Sequence, residues 1–308
     1  MTELAMVGLG RMGANMARRL ARGGATLTIY DRERSLTQAL AQEIGATVAL
    51  TLAEVTQACE SPRVIWLMLP AGEATTYAIA ELVLARGDIL VDGGNAHYKD
   101  SQRRAEEFAK RGIEFVDAGV SGGVHGLANG YCLMLGGLAA TIAKLEKFVR
   151  ILAPAPESGW LHCGPAGAGH FVKMIHNGIE YGMMQAYAEG FALVQGKTEY
   201  ALDVGEIAEL WRHGSVVRSW LLDLTADILA DPSAVESVLP HVADSGEGRW
   251  TVLEAVEQGV PAPVMSLALM MRFASQGKND FAAKILAKMR EGFGGHAVQS
   301  AEKKKVEP

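Results

Sequence analysis

An α/β doubly wound sheet followed by an all-helical domain is the fold class this sequence predicts, and three observations carry it. Between residue 4 and about residue 163, short apolar β-type runs alternate with polar or amphipathic helical segments. After Gly164-Pro165 no run reads as a strand, and helical patterning takes over. With 308 residues, the chain has material for two domains with sizeable cores. The switch in pattern places the expected boundary between 163 and 164, giving domains 1–163 and 164–308.

The expected strands are LAMVG from Leu4, TLTIY from Thr26, VIWLML from Val64, DILVD from Asp88, EFVDAGV from Glu114, YCLML from Tyr131 and WLHC from Trp160. Their alternation with helical segments signals a parallel sheet. Loop-like composition gathers at 154–159, before the last of these strands. One long helix is expected from about 166 to 195, because Pro165 is tolerated at a first helical position and nothing breaks the run before Gly196. At 1.5 Å per residue it would span roughly 45 Å. Further helical runs are expected around 203–213, 215–230, 249–257, 261–276 and 279–290. No internal repeat is evident, and the charged stretch 301–308 reads as a solvated end.

Composition narrows the function. The chain is 49% hydrophobic, with 29 Lys+Arg against 35 Asp+Glu, a formal net charge of −6. That balance argues against a nucleic-acid partner and leaves room for a small cationic pocket that binds an anionic metabolite. Cys59, Cys132 and Cys163 show neither CxxC spacing nor an even count, which fits a reducing compartment. The start Met1-Thr2-Glu3 carries no basic leader, and no stretch approaches 18 uncharged apolar residues, so a cytoplasmic protein without a membrane partner is expected. His162, Cys163 and His170 offer no ligand repeat, so no metal is expected.

The first strand runs directly into Gly8-Leu9-Gly10-Arg11-Met12-Gly13, a G-x-G-x-x-G match that opens a helix. In a Rossmann-type fold Gly8 permits the tight turn, Gly10 lets the backbone approach a pyrophosphate, and Gly13 allows close helix–strand packing. The helix N-terminus supplies N–H groups and positive dipole. Asp31 ends the second strand, where a carboxylate accepts hydrogen bonds from the adenosine ribose and repels a 2′-phosphate. NAD is therefore expected over NADP, with Arg32 and Arg34 next door partly offsetting the repulsion.

Asp92-Gly93-Gly94-Asn95 and Ser121-Gly122-Gly123 both follow strands, at the edge where doubly wound sheets bind ligands. Asn95 and Ser121 offer short polar side chains for hydroxyls or a carboxylate. On the long helix Lys173, His176, Asn177, Glu180 and Tyr181 recur at i, i+3, i+4, i+7 and i+8, one face. An exposed polar stripe would show the same spacing. The preceding Gly164-Pro165-Ala166-Gly167-Ala168-Gly169 argues instead for close backbone packing that holds Lys173 near the nucleotide. A lysine desolvated there would have its pKa lowered and could take a proton from an alcohol as hydride leaves the same carbon. Glu180 lies two turns on, roughly 10 Å by helix rise, placed to act as an acid.

These residues resemble the β-hydroxyacid dehydrogenase superfamily and, within it, the decarboxylating 6-phosphogluconate dehydrogenase family in its short form with a single helical half. The specific marks are Leu69-Pro70-Ala71-Gly72, DGGNAHYKDSQRR at 92–104, GVSGGVHGLANG at 119–130 and GAGHFVKMIHNGIEYGMMQ at 167–185. Other hydroxyacid dehydrogenases usually lack the HNGIEY continuation. The resemblance implies that Arg11, Met12, Arg32, Leu69, Pro70, Ala71 and Asn95 join the glycines and Asp31 around NAD. It also implies that Asn95, Ser121, Gly122, Gly123, His176 and Asn177 contact a sugar acid whose phosphate is bound by Tyr181. Lys173 would be the base and Glu180 the acid. Arg272 sits where the family has a phosphate-binding arginine, and Arg290 and His296 keep the spacing of an arginine–histidine pair that the long form inserts into a partner's site.

Two departures stand out. Ser245 occupies the place of the usual phosphate-binding lysine, and Glu247 adds a negative charge where the family is neutral. The second helical half of the long form is absent, so a homodimer or homotetramer is expected. The implied reaction is NAD-dependent oxidation of 6-phospho-D-gluconate at C3, loss of carbon dioxide and formation of D-ribulose 5-phosphate. Two other readings remain open on the residues alone: a non-decarboxylating dehydrogenase of 3-hydroxyisobutyrate or a similar acid, and a catalytically silent NAD-binding regulator.

Overall fold

The computed structural model describes residues 3–294 and 297–299. His296 and the charged stretch 301–308 lie outside the described residues. The chain divides into two compact units, Met1–His176 and Asn177–Pro308.

The first unit runs β1 (Glu3–Val7), α1 (Arg11–Arg22), β2 (Thr26–Tyr30), α2 (Arg34–Ile44), β3 (Thr47–Val48), α3 (Leu52–Gln57), β4 (Val64–Leu67), α4 (Glu73–Glu81), β5 (Ile89–Asp92), α5 (Tyr98–Lys110), β6 (Glu114–Ser121), α6 (Gly126–Asn129), β7 (Cys132–Gly136), α7 (Ala139–Leu152) and β8 (Trp160–Gly164). The strands form one eight-stranded sheet in the order β3-β2-β1-β4-β5-β6-β7-β8. All seven expected strands are present. The eighth, β3, is two residues long, too short for a periodic signal.

The expectation of a parallel sheet is corrected at one place: β6 and β7 are antiparallel, Asp117 opposite Gly136 and Ser121 opposite Cys132. The segment joining them, 122–131, carries only a 3-10 turn and the four-residue α6. A parallel return needs a crossover of about a dozen residues or more, usually a full helix, and this link is too short to supply one.

Both faces of the sheet are covered, which is why its strands read as continuous apolar runs. Leu4, Met6, Ile29, Trp66, Val91 and Leu133 pack on one side with Leu20 of α1 and Leu145 and Phe148 of α7. Ala5, Val7, Ile65, Leu67, Leu90 and Phe115 pack on the other with Phe108 of α5. Neighbours along a strand alternate between the two cores, as the pleat requires.

Helix α8 (Ala168–Gly196) starts in the first unit and continues into the second. The division falls inside this helix because its first turns pack on β6 and β7 through Gly169, as described below. The second unit continues with α9 (Val204–Trp211), α10 (Trp220–Leu229), α11 (Pro232–Glu236), α12 (Glu247–Gln258), α13 (Pro263–Ser275) and α14 (Asp280–Gly294), with no strand among the described residues. The run expected at 215–230 begins only at Trp220, because Ser219 caps it by accepting the Leu222 N–H at 3.1 Å. Helix α11 lies outside the expected runs, although it has a local start signal: Asp231 is its N-cap and Pro232 its first residue. Small cores form around Phe191, Ala208, Leu222 and Ala226, and around Tyr181, Ala268 and Leu269. Among the described residues no helix is long and apolar enough to cross a membrane.

Candidate active site

The glycine loop has the shape its sequence implies. Gly8 adopts φ +93, and a Cβ there would lie 2.6 Å from the Met68 carbonyl oxygen and 2.8 Å from Leu69 Cδ2, so no other residue fits. A Cβ on Gly13 would strike the Gly8 carbonyl, whereas one on Gly10 would meet nothing within 4 Å. Gly10 precedes α1 without a side-chain cap, and the first turn of α1 carries no acid. Its N–H groups and dipole therefore face an open approach, the arrangement a pyrophosphate needs. Arg11 is exposed there and Met12 half-buried. Asp31 accepts the Leu9 N–H at 2.6 Å and the Glu33 N–H at 2.9 Å, so its carboxylate ties the end of β2 to the glycine loop. Arg32 and Arg34 are exposed beside it.

Two more loops follow strands of the same sheet. After β4, Leu69 is half-buried and Pro70 and Ala71 are exposed; the Pro70 carbonyl accepts the Thr75 hydroxyl at 2.8 Å. After β5, Asn95 is exposed at the end of a loop anchored by Asp92. Asp92 is fully buried, accepts the Gly94 N–H at 3.2 Å and pairs with Arg104 of α5 at 2.7 Å. Sequence reasoning missed this anchor, although Arg104 closes the quoted 92–104 run.

A second missed residue sets the start of α8. Asp117, fully buried in β6, accepts the Gly167 N–H at 2.6 Å and the His170 N–H at 2.8 Å. A strand carboxylate thus caps the long helix, where negative charge is favoured by the dipole. The signal available was an aspartate inside the otherwise apolar run EFVDAGV. Ser101 of α5 adds a second tie, 2.7 Å from His170 Nδ1. Glycines let the helix backbone lie directly on the sheet: a Cβ on Gly169 would fall 2.6 Å from the Asp117 carbonyl oxygen and 2.8 Å from the Gly136 nitrogen. One on Gly119 would overlap the Lys173 side chain. Lys173 is accordingly buried, 7% exposed, against β6. Two residues further along β6, Ser121 Oγ lies 3.4 Å from His176 Nε2. Gly122 and Gly123 then turn the chain at φ +131 and +53. The first unit thus gathers Lys173, His176 and the serine–glycine loop.

In the second unit α8 carries Asn177 and Tyr181, both buried, and Glu180, half-buried. The Tyr181 hydroxyl reaches Ser245 Oγ at 3.2 Å and donates to Asp244 Oδ1 at 3.4 Å. Arg272 of α13 stacks its guanidinium 3.5 Å from the Tyr181 ring centre and donates to the Ala243 carbonyl at 2.7 Å. Burial alone would push the Asp244 carboxyl up, but the Gly246 N–H, the Arg249 guanidinium and the Tyr181 hydroxyl outweigh it and hold the group below the usual carboxylate range. Glu247 is buried at the first position of α12. Tyr181 and Arg272 are therefore brought together. Arg290 is exposed on α14, where it makes no ion pair among the described residues, and its expected companion His296 lies outside them. Among the described residues no three His, Cys, Asp or Glu side chains gather as a metal site.

A dinucleotide loop at the head of a doubly wound sheet, a lysine buried against the strand that leads into the serine–glycine loop, and a helical second unit define a nucleotide-binding oxidoreductase. Comparison with known proteins narrows the class. The NAD binding domain of 6-phosphogluconate dehydrogenase matches residues 3–161, and the 6-phosphogluconate dehydrogenase C-terminal domain matches residues 169–307. The NAD(+)-dependent, decarboxylating 6-phosphogluconate dehydrogenase of Haloferax volcanii is 38% identical over 299 residues, 96% of this chain and 98% of that protein. The NADP(+)-dependent enzyme of Bacillus subtilis is 36% identical over 294 residues, which are 90% of this chain and 62% of its own longer one. Among solved structures, the Plasmodium falciparum 6-phosphogluconate dehydrogenase superposes with a TM-score of 0.83 at 28% identity, covering 99% of this chain and 67% of that one. The chain belongs to the 6-phosphogluconate dehydrogenase family.

Proposed function

We propose that this chain oxidises 6-phospho-D-gluconate at C3 and releases carbon dioxide and D-ribulose 5-phosphate, with NAD as the oxidant. The observation that carries the reading is Lys173, buried against Gly119 of β6 on a helix whose start is fixed by Asp117. Family membership supports the substrate class. Asn95, Ser121, Gly122, Gly123, His176 and Asn177 hold the sugar acid, and Tyr181 and Arg272 hold its phosphate. Gly8, Gly10, Arg11, Met12, Gly13, Asp31, Arg32, Leu69, Pro70 and Ala71 surround the dinucleotide, and the open end of α1 at Gly10 suits its pyrophosphate. When bound, the nicotinamide supplies the hydride acceptor.

Lys173 takes the proton of the C3 hydroxyl as the carbon is oxidised, leaving a β-keto acid. The lysine, now an ammonium, polarises the new carbonyl so that the carboxylate departs as carbon dioxide and its bonding electrons form an enediol. Glu180 protonates the carbon that becomes C1 of the product. Glu180→Gln is expected to lower kcat by about a hundredfold or more, the usual size of a general-acid contribution. Unchanged turnover in that variant refutes the assignment.

The test of the reaction is NADH formation at 340 nm with 6-phosphogluconate, carbon dioxide being trapped in parallel. Equal yields of both products support the reading; NADH without carbon dioxide points to a simple hydroxyacid oxidation instead. The same assay with NADP measures cofactor choice. A higher kcat/KM with NAD is expected, because Asp31 presents a carboxylate to the adenosine ribose. In Asp31→Ala the NAD/NADP ratio falls towards one, and KM rises for both cofactors because the tie to the Leu9 N–H is lost. A wild-type preference for NADP overturns the argument.

We also infer a homodimer or homotetramer. Val256, Val264, Leu267, Phe281 and Leu286 of α12 to α14 are exposed in the single chain, apolar side chains that a second copy would remove from water. Light scattering is expected to give twofold or fourfold the 32.8 kDa chain mass. A monomer at micromolar concentration contradicts this.

A further inference from the structure

We infer that Arg249 is a further substrate-phosphate ligand, held in place by Asp244 and given up to the phosphate on binding. The inference rests on the reading that Tyr181 and Arg272 hold that phosphate. Asp244 is the protein's own oxyanion in this cluster, and its partners show which donors converge there. The Gly246 N–H donates to it at 3.0 Å, the Tyr181 hydroxyl at 3.4 Å, and Arg249 Nε forms an ion pair with its other oxygen. These are the donor types that bind phosphate. The two partners of the ion pair differ in access: the Asp244 side chain is 4% exposed and that of Arg249 is 50% exposed. An arriving ligand therefore meets the guanidinium and not the carboxylate.

Aromatic rings orient both arginines. Arg249 lies 4.7 Å from the Phe273 ring centre and Arg272 lies 3.5 Å from that of Tyr181. A planar guanidinium fixed over a ring presents its remaining N–H groups in one direction, which favours forked contact with phosphate oxygens. Ser245, between these groups, contributes a hydroxyl and no charge. A phosphate dianion carries more charge than the Asp244 carboxylate and competes with it for Arg249. Asp244 thus keeps the arginine in position and, at the same time, weakens substrate binding.

The test is a double-mutant cycle on the full-length protein, reading KM and kcat for 6-phosphogluconate and for unphosphorylated gluconate. Arg249→Gln is expected to raise KM for 6-phosphogluconate about tenfold, the loss of one charge-assisted contact, and to lower kcat less. The preference for the phosphorylated over the unphosphorylated acid falls in parallel. Asp244→Asn, which keeps the shape of the side chain and frees Arg249, lowers KM several-fold, and that gain disappears in the double variant. If Arg249→Gln does not fold, Arg249→Lys tests the same point with the charge kept and the fork lost, and its KM is raised above the wild-type value by less than about tenfold. An unchanged KM in the Arg249 variants, or a raised KM in Asp244→Asn, overturns the inference. Failure of the wild-type protein to turn over 6-phosphogluconate overturns the functional reading itself, and this inference with it.

Discussion

Lys173→Met is expected to reduce turnover by a factor of about 10²–10⁴, the range of a general acid–base contribution. Methionine approximates the length of the lysine stem and removes only the amine, so the packing against Gly119 is retained. Lys173 serves twice in the proposed sequence, as proton acceptor from the C3 hydroxyl and then as the ammonium that polarises the carbonyl, so the loss should lie towards the upper end. NAD affinity, measured by titration calorimetry, is expected to stay within the wild-type range because the glycine loop and Asp31 are untouched. Near-normal rates in this variant reject Lys173 as the base.

The second large effect is on stability. Arg104→Met leaves Asp92 buried without its ion-pair partner, the two side chains being only 6% and 1% exposed. Removing one partner of a buried pair typically costs about 3–5 kcal/mol, because the remaining charge has neither water nor a counterion. For a unit of this size that corresponds to a fall in melting temperature on the order of 10 °C, readable by circular dichroism. Asp92 also holds the loop that ends in Asn95, through the Gly94 N–H, so activity should drop before the fold is lost. The double variant Arg104→Met with Asp92→Leu is expected to recover much of the stability, since no buried charge remains. A melting curve unchanged in the single variant contradicts the account.

Features with a local period or a local spacing were legible in the chain. The glycine loop, the carboxylate ending β2 and the long helix each occupy a few turns or a short motif, and the polar stripe from Lys173 to Tyr181 follows from helical geometry alone. The direction of β7 was not visible, because an apolar run carries no sign of its orientation. Only the length of the link after Ser121 decides it, and that length has meaning once β6 and β7 are known to be neighbours.

The anchors of the site depended on contacts between distant positions. Asp117 reaches Gly167 across 50 residues, and Tyr181 reaches Ser245 across 64. Arg272 and Phe273 come to Tyr181 and Arg249 from a separate helix. No periodicity links such pairs, since each contact forms only when the unit that holds both residues folds. Residue type and spacing thus determined which side chains could carry the chemistry. Tertiary packing decided which of them are buried, which are capped and which charges face each other, because burial and electrostatic pairing are properties of the folded chain.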